Sequence, residues 1–125
     1  MDAEFRGAFA ALKRVLAKHA KGLAVQTDTD GVYSLVGKAA SPYPQHKGQP
    51  MWFGSVKVGK AYVSFHLMPL YMNPSLQKAV SPALKKRMQG KTCFNFQGVP
   101  ETELTKELEQ LTPAALEDWT AKGWL

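Results

Sequence analysis

Residues 49–71 read QPMWFGSVKVGKAYVSFHLMPLY, and the fold turns on how this stretch pairs with itself. Two runs rich in β-branched and aromatic residues flank Gly59-Lys60, whose glycine-first order suits a two-residue type II′ turn. That turn predicts the cross-strand pairs Val58–Ala61, Lys57–Tyr62, Val56–Val63, Ser55–Ser64, Gly54–Phe65, Phe53–His66 and Trp52–Leu67. One face of the hairpin then carries Trp52, Val56, Val58, Val63, Phe65 and Leu67, with Gly54 leaving room for Phe65. The other carries Phe53, Ser55, Lys57, Tyr62, Ser64 and His66. The first set is the core side. A slip of one residue would exchange the two sets, so the alternation itself argues for this register.

Before the hairpin, residues 3–20 place Phe5, Phe9, Leu12, Val15 and Leu16 at helical spacing, with Asp2 as N-cap, Glu4 in the first turn and Gly22 as the stop. Residues 23–26 and 32–36 are short β-prone runs around Asp30-Gly31, a turn signal. Asp28 and Asp30 lack the rest of a calcium loop, so turn chemistry accounts for them. Residues 39–48, AASPYPQHKG, are a loop that either lies over a site or connects strands, with His46 and Lys47 solvated.

After the hairpin, Asn73-Pro74 and Ser81-Pro82 each place a capping side chain before a helix-starting proline. They predict helices over 74–79 and 82–89, the second burying Leu84 and Met88 and ending at Gly90. Residues 92–96 read as a strand with Phe94 and Phe96 inward and Cys93 and Asn95 opposite. Two helices follow, the first striped by Leu104, Leu108 and Leu111, the second started by Thr112-Pro113. Trp119 packs inward and Trp124 pins the end. The expected architecture is α+β, an antiparallel sheet of about five strands with an N-terminal helix and C-terminal helices packed against it.

A chain of 125 residues is expected to form one domain with a real core. A single cysteine, Cys93, excludes an intramolecular disulfide. The sequence has no secretory signal pattern and no apolar run of membrane-spanning length, so a cytoplasmic location is expected and a membrane partner is not. Charge is unevenly spread. Residues 1–30 hold five basic and four acidic side chains, residues 31–100 hold nine basic and no acidic ones, and residues 101–125 hold two basic and six acidic. The central segment attracts anions by its summed field unless the acidic tail folds over it. A mechanism needing two carboxylates from the central sheet is excluded.

The runs MWFGSVKVGKAYVSFHLMPLYM (51–72) and SPALKKRMQGKTCFNF (81–96) resemble the YdhG-like family of small bacterial domains of unknown function. The likeness covers roughly residues 49–111 and is clearest over 52–96. It implies a compact α+β domain, in agreement with the residue pattern. One branch of that family is similar in shape to frataxin and is regarded as an intracellular iron chaperone, which relies on an acidic ridge along its first helix and strand. Here the first helix has Glu4 against Arg6, Lys13, Arg14, Lys18 and Lys21, and the strands from Val32 onward have no carboxylate. Iron prefers oxygen ligands, so the chain departs from that role.

Three constellations bear on function. Phe53, Ser55, Lys57, Tyr62, Ser64 and His66 share one hairpin face and form a candidate ligand site, whose imidazole, ammonium and hydroxyl groups suit an anionic or polar small molecule. No acidic residue lies near His66 to orient it, and neither serine sits on a nucleophile turn, so no catalytic residue and no cofactor are expected. Cys93 reads as an inert thiol, and His19, His46, His66 and Cys93 lack zinc-ligand spacing. Lys85, Lys86, Arg87 and Lys91 form the densest basic cluster, beside Phe94 and Phe96. A solvated helix face accounts for it; single-stranded nucleic acid is the functional alternative. The expectation is a non-enzymatic binding module for a small anionic or polar ligand, or for a protein partner. An iron chaperone and a nucleic-acid binder are the alternatives.

Overall fold

The computed structural model describes residues 3–90 and 93–125. Its elements run α1 (Ala3–Ala17), β1 (Ala24–Asp28), β2 (Val32–Ala40), a 3-10 turn (Pro44–His46), β3 (Pro50–Val58) and β4 (Val63–Leu67). Three short helices follow, α2 (Pro69–Met72), α3 (Pro74–Lys78) and α4 (Pro82–Lys85), then β5 (Met88–Gln89), β6 (Cys93–Phe96) and α5 (Thr102–Ala121). The strands form one antiparallel sheet of six, in the order β1-β2-β3-β4-β6-β5. The α+β expectation holds, with one strand more than anticipated.

Helix α1 buries Phe9, Leu12, Val15 and Leu16 of the predicted stripe, with Ala8 beside them and Phe5 half-buried, and its helical bonding tightens at the end into His19 N–H to Leu16 O and Ala20 N–H to Ala17 O. It therefore stops three residues early, through 3-10 turns that satisfy its last carbonyls. Its expected N-cap, Asp2, lies outside the described residues. The stripe packs on β3 and β4 and against α5. Phe65, Leu67, Val56, Val63, Phe94 and Phe96 join the same core from the sheet, all fully buried.

The central hairpin differs from its expected register by two residues. Val58 pairs with Val63, Lys57 with Ser64, Val56 with Phe65, Ser55 with His66 and Gly54 with Leu67. A four-residue connection replaces the two-residue turn, closed by Gly59 N–H to Tyr62 O at 2.8 Å. Because side chains alternate with period two, this shift leaves most residues on their expected faces. It removes Tyr62 from the ladder into the connection, where it is 43% exposed.

Upstream of Gly54 the faces do change. Leu35 pairs with Gly54 but Val36 pairs with Trp52, so β3 holds one extra residue, Phe53, opposite β2. That is a β-bulge, which re-aims the side chains beyond it. Phe53 turns into the core, fully buried, with its ring edge-on to Trp119 at 5.8 Å between centroids. Met51 follows it inward. Trp52 turns to the other side of the sheet, half-buried. The expectation that Trp52 faces the core and Phe53 walls the candidate site is thus reversed. Gly54 permits the bulge: a Cβ there would stand 2.5 Å from the His66 carbonyl oxygen.

Two further expectations are corrected. Met88 and Gln89 do not extend the helix that begins at Pro82; they form the edge strand β5, paired with Phe94 and Cys93. Gly90, at φ +73°, starts the reversal into β6. The C-terminal segment is one helix of twenty residues, with Pro113 inside it rather than two helices divided there. Leu104, Leu108, Leu111, Ala115 and Trp119 run as one buried stripe through the proline, so tertiary burial holds the two halves in line. Trp124 closes the end against Trp119 and Tyr43.

Helix α5 organises the helical layer. It packs on α1, α2 and α3. Glu107 accepts hydrogen bonds from Ser81 N–H and Oγ, holding the start of α4, whose Leu84 enters the same core. The helices thus gather on one side of the sheet. No helix among the described residues is long and apolar enough to cross a membrane.

Candidate functional site

The sheet face turned away from the helices is built from alternate residues of its central strands. Ser34 and Val36 come from β2, Trp52, Ser55 and Lys57 from β3, and Ser64 and His66 from β4. Cys93 and Asn95 on β6 complete it, directly opposite His66 and Ser64. Antiparallel sheets tolerate one solvated face, and this one is polar as that geometry requires. Yet an indole lies on it. The Trp52 and His66 rings stand 5.6 Å apart, tilted by 51°.

Hydrogen bonds knit the face from strand to strand. Ser34 Oγ donates to Gln26 Oε1 at 2.9 Å. Asn95 is the second centre: its Oδ1 accepts from Ser64 Oγ at 2.9 Å and from Cys93 Sγ at 3.1 Å, and its Nδ2 donates to Gln89 Oε1 at 2.9 Å. These groups present a fixed array of amide and hydroxyl dipoles, adjustable only through their rotors and amide orientation.

Burial lowers the pKa of His66 below its ordinary 6.5, and the Lys57 ammonium lowers it further. The imidazole is therefore neutral at pH 7, able to stack and hydrogen-bond without adding charge. Burial raises the Cys93 thiol, with the Ser64 hydrogen bond opposing. Cys93 and His66 are cross-strand neighbours, but their pKa values move away from a thiolate–imidazolium pair, the form a cysteine nucleophile needs.

Of the six residues grouped by the sequence, Ser55, Lys57, Ser64 and His66 lie together on this face. Phe53 is in the core. Tyr62 sits at the hairpin end, on the rim. Trp52 is the candidate side chain that the alternation concealed. The signal that marks it is Gly54, an isolated glycine within a strand, which points to a bulge.

The basic cluster divides. Lys85 points into a separate depression shared with Pro74, Gln77 and Lys78. Lys86 and Arg87 line an open groove of about 390 Å³ with Tyr62, Gln89, Asn95 and Gln97. Arg87 is anchored to Glu101 at 2.9 Å and lies over the Phe96 ring, 5.6 Å from its centroid. Phe94 and Phe96 are fully buried and cannot serve as exposed stacking partners. Lys91 lies outside the described residues. Through Asn95 the groove is continuous with the sheet face.

The acidic C-terminal segment does not cover this surface. The carboxylates on α5 lie on the helical side, where Glu109 pairs with Lys18 and Asp118 with Lys122, while Glu101, just before the helix, reaches Arg87 at the groove. Among the described residues, Arg87–Glu101 is the one ion pair joining residues 31–100 to that helix. No group of three or more His, Cys, Asp or Glu side chains is placed to hold a metal ion among the described residues. The molecule is thus an α+β protein whose sheet is covered by helices on one side and carries a cationic, aromatic-bearing face on the other. No protein-family model, curated protein or solved structure matches the chain.

Proposed function

We propose that this protein is a non-enzymatic binding module, a cytoplasmic domain of the YdhG-like kind, that holds an anionic ligand on its uncovered sheet face. The observation that carries this reading is the Trp52–His66 ring pair beside Lys57, on a surface to which residues 31–100 contribute no carboxylate. A ring system of the ligand stacks on the indole, its charge meets the Lys57 ammonium, and the neutral imidazole and the Ser64–Asn95 array accept or donate hydrogen bonds at its edge. Nothing in this arrangement calls for covalent chemistry, because the thiol is held protonated and the imidazole has no carboxylate to orient it.

The test is a calorimetric titration with adenosine monophosphate, which combines a planar ring with a phosphate. Saturable binding is expected, weakened at least tenfold by Lys57→Ala and by His66→Ala, with circular dichroism unchanged. Binding that both variants leave intact would remove the face from the reading.

A further inference from the structure

The sheet face and the groove at its edge form one continuous surface, and the chemistry along it changes in a definite order. At one end are Trp52 and His66. Ser64 and Asn95 follow, hydrogen-bonded across β4 and β6. At the other end are exposed Tyr62 and Lys86 and half-buried Arg87 around the groove. From His66 to Val63 the strand advances three residues, about 10 Å at strand spacing, and Tyr62 follows in the connection. A single small anion would touch one end only. A strand of linked bases and phosphates would use all of it.

We infer that the ligand of this face is single-stranded nucleic acid, lying across β3, β4 and β6 from the Trp52–His66 pair to the Tyr62–Lys86 groove. The inference rests on the binding-face reading and gives it a substrate class. Single strands are held by aromatic side chains on which bases stack, set in a positively charged track, and an open antiparallel sheet is a frequent support for such stacking. The components are present in that arrangement. Trp52 pairs with His66 on the face, their rings 5.6 Å apart, and exposed Tyr62 offers a second ring at the far end. Lys57 flanks the track in the middle, Lys60 lies in the hairpin connection, and Lys86 stands at the groove. Arg87 is engaged by Glu101, so these lysines supply the phosphate contacts. The Asn95, Gln89 and Gln97 amides face the same path and can meet base edges. A duplex does not fit this scheme, because its bases are stacked on each other and a flat sheet reaches neither groove.

The experiment is fluorescence anisotropy with labelled oligonucleotides of about ten nucleotides, within the usual span of single-strand sites. RNA, DNA and the corresponding duplex are each titrated, with adenosine monophosphate in parallel. One or both single strands are expected to bind at least tenfold more tightly than the duplex and than the mononucleotide, and the RNA and DNA arms decide between the two sugars. Trp52→Ala should weaken the single strand roughly 5- to 150-fold, the loss of one stacked base. Lys86→Gln should reduce the slope of log affinity against log salt by about 0.7 while leaving mononucleotide binding unchanged. Oligonucleotide binding no tighter than the mononucleotide, or unaffected by Trp52→Ala, overturns the inference. If mononucleotide binding still depends on Lys57 and His66 in that case, the binding face survives its loss. If neither ligand binds, both readings fall. A dimer that Trp52→Ala converts to monomer would instead assign the face to a second copy of the chain.

Discussion

The bulge in β3 can be tested by exchanging the roles that adjacent residues would have in a straight strand. Phe53→Ala removes a fully buried ring that lies edge-on to Trp119, and truncations of that kind cost about 3–5 kcal/mol. Trp52→Ala removes a larger side chain, but one already half in water and paired with the His66 ring. Full burial of a large apolar side chain is worth about 1.5–3 kcal/mol, so half of it makes this loss about 1 kcal/mol. Urea denaturation followed by far-ultraviolet circular dichroism separates the two. At a slope of about 2 kcal/mol per molar urea, Phe53→Ala lowers the midpoint by roughly 2 M and Trp52→Ala by roughly 0.5 M. Should Phe53→Ala not fold, Phe53→Leu retains most of the volume and still ranks above Trp52→Leu in cost. A straight strand gives the opposite order, since it buries the indole and exposes the phenyl ring. A midpoint lowered as much by Trp52→Ala as by Phe53→Ala would refute the bulge and the stacking platform together.

Gly54→Ala should destabilise by about 1–3 kcal/mol, because its Cβ would meet the His66 carbonyl at 2.5 Å, whereas Gly98→Ala, with nothing within 4 Å, should gain about 0.4–1 kcal/mol; thermal melts that rank them the other way would sink the packing argument. The His66 imidazole should titrate below 6.5 by proton NMR, and Lys57→Met should restore only part of the shift, since burial is the larger cause. Well above 6.5 His66 is neutral folded and unfolded alike; as pH falls through 6.5 the unfolded chain takes up a proton that the folded one refuses, so stability declines, and His66→Gln should flatten that decline in denaturation midpoints measured from pH 8 to 5. Pro113→Ala should stabilise by about 2 kcal/mol, the roughly 3 kcal/mol cost of an interior helix proline less the entropy proline removes from the unfolded chain; a lower melting temperature would mean that α5 needs the bend to pack.

Much of this molecule was legible because period is a local property. Leu12, Val15 and Leu16 on α1, Phe65 and Leu67 on β4, and Phe94 and Phe96 on β6 all fall where their spacing puts them. The four polar residues of the candidate site were legible for the same reason, and they kept their face even though the hairpin connection is two residues longer than the Gly59-Lys60 turn allows. What was not legible depends on partners distant in sequence. Phe53 is drawn inward by Trp119, sixty-six positions away, and the bulge that allows it is marked by one glycine. Met88-Gln89 is a strand because β6 offers an edge, against a helix start at Ser81-Pro82 that is itself correctly read. Pro113 begins no new helix because Leu108, Leu111 and Ala115 share one buried stripe, and that burial outweighs a local breaker.

The bulge also bears on why the outer face has the character of a binding surface. A folded sheet requires that one face be apolar and the other wettable; it does not require an indole on the wet side. A straight β3 would bury Trp52 beside Val56 and leave Phe53 outside, satisfying the core with the larger ring. The chain instead places a glycine at 54, where only glycine fits beside the His66 carbonyl, and turns the phenyl ring to Trp119 and the indole to His66. Glycine within a strand weakens it, so the arrangement costs stability that the fold alone gives no reason to spend. The charge distribution runs in the same direction. Solubility would be served by either sign on the outer face, yet of the carboxylates after residue 100 only Glu101 reaches it, where it pairs with Arg87, while Lys57 and Lys86 stand beside half-buried Trp52 and exposed Tyr62. An aromatic turned outward at a cost, and cations that outnumber the one carboxylate near them, are two independent departures from what folding needs. Both are what an anionic, ring-bearing ligand would use.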